Sequence, residues 1–135
     1  MAQPSQFEVS TQAYLTATCN MVLNTAVVDQ VFYIAAEPLE VVEVHEIHAT
    51  KGTDAGDVVA TIRRCQGTEA ATAGDDLLGA TKINLKGENN TLQSPGLTST
   101  TADLQLAAGD RLALDITGTT TAVAGAQVTV LLKRI

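Results

Sequence analysis

The sequence predicts an all-β protein, an antiparallel β-sandwich of the jelly-roll type preceded by an N-terminal arm. Three observations carry this expectation. Short apolar stretches recur at close intervals, turn-forming residues separate them, and no long stretch keeps the 3.6-residue apolar period of an amphipathic helix. A chain of 135 residues fits one domain, and a domain of that size buries roughly two thirds of the surface its unfolded chain exposes.

Residues 1–18 are polar and rich in Gln, Ser and Thr, with Phe7, Val9, Tyr14 and Leu15 as isolated apolar positions. They read as an arm whose four anchors an extended segment can press into pockets on a neighbour. The domain then occupies 19–135. Apolar runs at 21–23, 31–36, 41–50, 58–65, 81–86, 104–107, 112–116 and 127–132 are the candidate strands. Alternation is clear in several of them. Ile83 and Leu85 sit between Lys82, Asn84 and Lys86, and Leu112, Leu114 and Ile116 alternate with Ala113 and Asp115, so each strand wets one face and buries the other. Between Val41 and His48 the phase breaks, because Val42 and Val44 agree with each other while Val41 and Ile47 take the opposite phase. A β-bulge or an interface on both faces accounts for the break.

The separators are turn chemistry: Lys51 to Asp57, Lys86 to Asn90, Ser94-Pro95-Gly96 and Thr117 to Thr121, with Pro4, Pro38 and Pro95 all in the arm or in loops. Ala-Gly-Asp occurs at 55–57, 73–75 and 108–110 with unequal spacings of 18 and 35 residues, so it is repeated turn chemistry and not a solenoid period. The glycine supplies the turn, and the aspartate bonds back to the backbone as the next strand begins. Residues 66–79 are expected to form a loop with one short helical turn near 69–78.

Composition narrows the function classes. Aromatic residues make up only 3% of the chain, and all four, Phe7, Tyr14, Phe32 and Tyr33, precede residue 34. The core must therefore be built from Val, Leu, Ile and Ala by many small contacts. Net charge is −7, and the first 50 residues hold Glu8, Asp29, Glu37, Glu40, Glu43 and Glu46 with no Lys or Arg. Such a surface repels phosphate backbones, so nucleic acid is not an expected partner; the acidic half suits solvent or a basic protein surface. The N-terminus lacks a positive region followed by an apolar one, and no apolar run has the length of a membrane span. A soluble protein made in a cytoplasm, without membrane contact, is the expectation. Cys19 and Cys65 have no metal-site spacing, and buried reduced thiols are expected, with a disulfide between them as the alternative.

The search for catalytic chemistry points to a non-enzyme. His45 and His48 are the only histidines, and three residues apart on a strand they face opposite ways. The zinc-protease signature needs two histidines four apart on a helix, so His45-Glu46-Ile47-His48 does not qualify. Asp54 with Asp57 and Asp75 with Asp76 lack the alternating ligand spacing of a calcium loop and read as turn formers. A sugar site is disfavoured because no Trp is present and no aromatic follows Tyr33. Gly residues sit between strands and not before a helix, which excludes a phosphate loop. No cofactor and no metal are expected.

An ordered series of features nevertheless resembles a known group. The series runs from Gly56-Asp57-Val58-Val59-Ala60-Thr61-Ile62 through Ala73-Gly74-Asp75-Asp76-Leu77-Leu78 and Asn89-Asn90-Thr91. It continues through Leu104-Gln105-Leu106-Ala107-Ala108-Gly109-Asp110-Arg111-Leu112-Ala113-Leu114-Asp115-Ile116-Thr117-Gly118 to Val128-Thr129-Val130-Leu131-Leu132-Lys133-Arg134. In order and spacing it is similar to the jelly-roll cement or decoration proteins of tailed-phage capsids. The resemblance implies a virion structural protein on the outer capsid surface, a homotrimer, the major capsid protein as partner, and no catalytic residues. A fibre, tail or surface module that binds a host receptor is the alternative the same features allow.

Overall fold

The computed structural model describes residues 13–21 and 29–135. It is all-β, with two antiparallel sheets packed as a sandwich. The strands are β1 (Tyr14–Met21), β2 (Asp29–Ile34), β3 (Leu39–Ile47), β4 (Val59–Cys65), β5 (Asp75–Asp76), β6 (Ile83–Asn84), β7 (Gln105–Leu106), β8 (Arg111–Thr117) and β9 (Ala126–Arg134). The first sheet runs β1-β9-β3-β7 and the second β2-β8-β4-β5, with β6 also paired to β4. Apart from the run β4, β5 and β6, each successive strand lies in the other sheet. The core is thus assembled from residues far apart in sequence.

Its composition follows the sequence expectation. Leu39, Val41, Ile62, Leu77, Ile83, Leu85, Leu106, Leu112, Leu132 and their neighbours form one aliphatic cluster, with Phe32 and Tyr33 packed at its margin. Strand β8 buries Leu112, Leu114 and Ile116 as its alternation predicts; the outward Ala113 is also covered. The phase break in β3 is a bulge: its register against β9 shifts between Val41 and Glu43. The insertion lets Val41, Val44, Glu46 and His48 all face inward while His45 and Ile47 face out.

Three sequence readings need adjustment. Residues 14–18, assigned above to the arm, lie in strand β1, which runs Tyr14–Met21 and pairs along β9, and the candidate strand at 21–23 lies outside the described residues apart from Met21. The 81–86 run shortens to Ile83–Asn84, because Lys86 N bonds the Asn84 side chain and Gly87 N bonds the Asn84 carbonyl, turning the chain away. The short helical element lies at Thr101–Leu104, as a 3-10 turn, while 71–73 is a simple turn leading into β5.

Arg64 ties the two sheets together at one edge. From β4 its guanidinium donates to the carbonyls of Ala102 (2.9 Å) and Gln105 (2.8 Å) and pairs with Asp75 at 2.7 Å. Gly74 makes that edge possible, since a Cβ there would lie 2.3 Å from the Arg64 carbonyl oxygen. At the same end of β4, where Arg111 stands opposite Cys65, Gly109, with φ of +94°, closes the turn into β8. The Asp110 carboxylate accepts the Ala107 N–H at 2.9 Å across that turn.

Candidate functional site

Of the four anchor residues read from sequence, Phe7 and Val9 lie outside the described residues. Tyr14 and Leu15 are adjacent on β1 and face opposite ways. Tyr14 is 54% exposed, whereas Leu15 packs against the aliphatic core. Of the two described, Tyr14 is the one presented for an external contact.

Tyr14 opens a broad outer face on the first sheet. Cross-strand register places Tyr14 opposite Lys133 and Glu40, Thr16 opposite Leu131 and Glu43, and Thr18 opposite Thr129 and His45. Beyond these rows a shallow depression of about 210 Å³ is lined by His45, Glu46, Ile47, Leu92, Gln127 and Thr129. Ile47 and Leu92 are exposed at its rim, and Val31 and Ile34 are exposed on edge strand β2.

The acidic bias of the first half does not become an acidic face. Glu37 pairs with Arg134 at 2.8 Å, and Glu40 stands opposite Lys133 in the ladder. Glu43 pairs with His45 at 3.3 Å, and Glu46 turns inward. The basic C-terminal strand lies against the acidic one, which the sequence shows only as two separated blocks.

The inward turn of Glu46 builds a polar cluster in the aliphatic interior. Glu46 and His48 are both buried, with His48 Nδ1 2.9 and 3.2 Å from the two carboxylate oxygens. His48 Nε2 donates to the Gly87 carbonyl at 2.8 Å, and Gln93 Nε2 donates to Glu46 at 2.8 Å. The backbone repeats the attachment: Asn90 N–H bonds the His48 carbonyl at 2.7 Å, and Glu46 and Gln93 exchange both amide bonds at 2.9 and 2.8 Å. Residues 89–93 thereby cover the edge of β3 that β7 leaves open. Burial pushes the Glu46 carboxyl above its ordinary range, and the bonds from His48 and Gln93 only partly oppose this.

A second polar cluster lies on the outside of the second sheet. Arg63 pairs with Asp115 at 2.7 Å and donates to the Gly74 carbonyl at 3.0 Å. Lys82 pairs with Asp76 at 2.8 Å, and Thr61 Oγ1 also donates to Asp76. These groups surround a depression of about 150 Å³. Burial raises the Asp76 carboxyl, but the donors Lys82, Thr61 and the Leu78 N–H outweigh it and hold Asp76 below its ordinary value.

Neither cluster presents a reactive arrangement. His48 is closed off from solvent, and the outward His45 has Glu43 as its charged neighbour. Cys19 and Cys65 are free and buried, and burial pushes both thiols up, which keeps them protonated at neutral pH. Asp75 and Asp76, read from sequence as turn formers, are instead strand residues that hold Arg64 and Lys82. The sequence missed the Glu46–His48–Gln93 association; its one local signal was a polar pair at every second residue of an apolar strand. Among the described residues no group of three metal-binding side chains converges, and no helix is long and apolar enough to cross a membrane. Comparisons with protein-family models, with curated proteins and with solved structures each returned no match.

Proposed function

We propose that this chain is a non-enzymatic virion structural protein, a cement or decoration protein that sits as a homotrimer on the outer capsid surface of a tailed phage and bridges major capsid subunits. The observation that carries the reading is the strand order. With β6 set aside, β1-β9-β3-β7 facing β2-β8-β4-β5 is the alternation a jelly roll requires, and the ordered features of the sequence resemblance, apart from Asn89-Asn90-Thr91 in a loop, fall on or beside β4, β5, β7, β8 and β9 of that framework.

The surface supports self-association. Among the described residues β2 pairs with β8 alone, and it exposes Val31 and Ile34 on the edge of its sheet, a liability in a monomer that a second copy removes. In this reading Phe7, Val9 and Tyr14 are contact residues toward the shell, and Tyr14 stands exposed on the first sheet. The test is binding of the purified chain to shells that lack it. Light scattering should give about three times 14.0 kDa, and a chain without residues 2–12 should remain oligomeric while binding such shells more weakly. A monomer with no affinity for shells sinks the reading.

A further inference from the structure

The Glu46–His48 pair has a fixed proton count. A carbonyl oxygen can only accept, so the 2.8 Å contact with Gly87 requires a proton on His48 Nε2. Nδ1 faces both oxygens of Glu46, so a second proton must lie between ring and carboxylate, whether it resides on the imidazole or on the carboxyl. With neither protonated, two lone pairs would meet in a site without solvent. The folded pair therefore holds one proton more than a neutral imidazole beside an ionised carboxylate.

We propose that this pair is a proton-dependent latch that fastens residues 89–93 onto the edge of β3, closed with uptake of one proton at neutral pH and loosened as the medium becomes alkaline. An unstructured histidine binds its second proton only below about pH 6.5, so above that value closure draws the proton from solvent. The raised Glu46 carboxyl has the same sign: its contribution is complete below the ordinary carboxyl range and is lost as pH rises through the folded value.

Among the described residues no other charge stands in for that proton. Gln127, Val128 and Thr129 of β9 and Gln93 of the loop do not titrate, and the outward Glu43 and His45 pair with each other. Of the loop's charged side chains, Lys86 donates to the Gly56 carbonyl at 3.0 Å and Glu88 pairs with Lys51 at 3.8 Å. Opening frees the backbone bonds of Asn90 and Gln93 and moves Leu92, so it alters the rim of the outer depression. The latch is a property of the chain alone and does not depend on the capsid reading.

Hydrogen exchange at the Asn90 and Gln93 amides of the full chain, measured from pH 5.5 to 8.5 and corrected for intrinsic chemistry, tests it. The opening constant should rise up to about tenfold per pH unit in the upper half of that range, the slope of one proton. Glu46→Gln should keep these amides protected with a flat profile, because its amide can donate to Nδ1 and its carbonyl can accept from Gln93. A flat wild-type profile, or an unchanged slope in Glu46→Gln, overturns the proposal. Should that variant fail to fold, wild-type His48 decides: a low-field proton correlated with Nδ1 at pH 7 sustains the latch, and a bare Nδ1 beside an ionised carboxylate overturns it.

Discussion

Glu46 and Asp76 are two carboxylates that burial acts on in the same direction and that finish on opposite sides of their ordinary range. Asp76 gathers three donors, from Lys82, Thr61 and the Leu78 backbone, at a margin where water still reaches Lys82. Glu46 has two side-chain donors in a site closed to water, one from the His48 ring and one from Gln93. Depth and donors decide together: full burial outweighs two donors at Glu46, whereas the donors outweigh partial burial at Asp76. The same chemistry gives one cluster that fails in acid and one that weakens in alkali.

Breaking the closed cluster should have the largest effect. His48→Ala leaves Glu46 buried without the ring that shares its proton and should cost about 3–5 kcal/mol in urea unfolding at pH 6. A loss below about 1 kcal/mol would mean that Glu46 is neutral and satisfied without the ring. Arg64→Ala should cost about 1–3 kcal/mol, since it leaves the Ala102 and Gln105 carbonyls without their donor at the seam between sheets.

Asp76→Asn should cost about 1 kcal/mol, as the partly hydrated pair with Lys82 is lost while other bonds persist. Its profile sharpens the comparison. A depressed carboxyl contributes stability above its ordinary value of 3.8 and loses it as pH falls through the folded value, so Asp76→Asn should flatten the acid limb alone. Glu46→Gln should flatten the neutral-to-alkaline limb alone. If both variants change the same limb, the contrast between the clusters is wrong. Smallest is Glu88→Ala, whose exposed contact with Lys51 at 3.8 Å should be worth less than about 0.5 kcal/mol and should vanish in salt.

The sequence by itself determined which faces of the strands are buried and where several turns fall. Alternation in Leu112, Leu114 and Ile116 needed no partner to be read, and the broken phase at 41–48 marked the bulge in β3. Identical turn sequences already show the limit. Ala108-Gly109-Asp110 uses positive φ and a carboxylate bond to the backbone, as its residues suggest, whereas Ala73-Gly74-Asp75 needs its glycine because the Arg64 carbonyl passes too close for a side chain. Only the tertiary structure decided that Tyr14–Met21 pairs with Ala126–Arg134, that the basic final strand lies against acidic β3, and that Gln93 reaches Glu46. Local pattern fixes the orientation of a side chain about its own strand. The choice of partner strand depends on which long-range pairing satisfies the most backbone bonds and buries the most aliphatic surface, and no spacing along the chain records that sum.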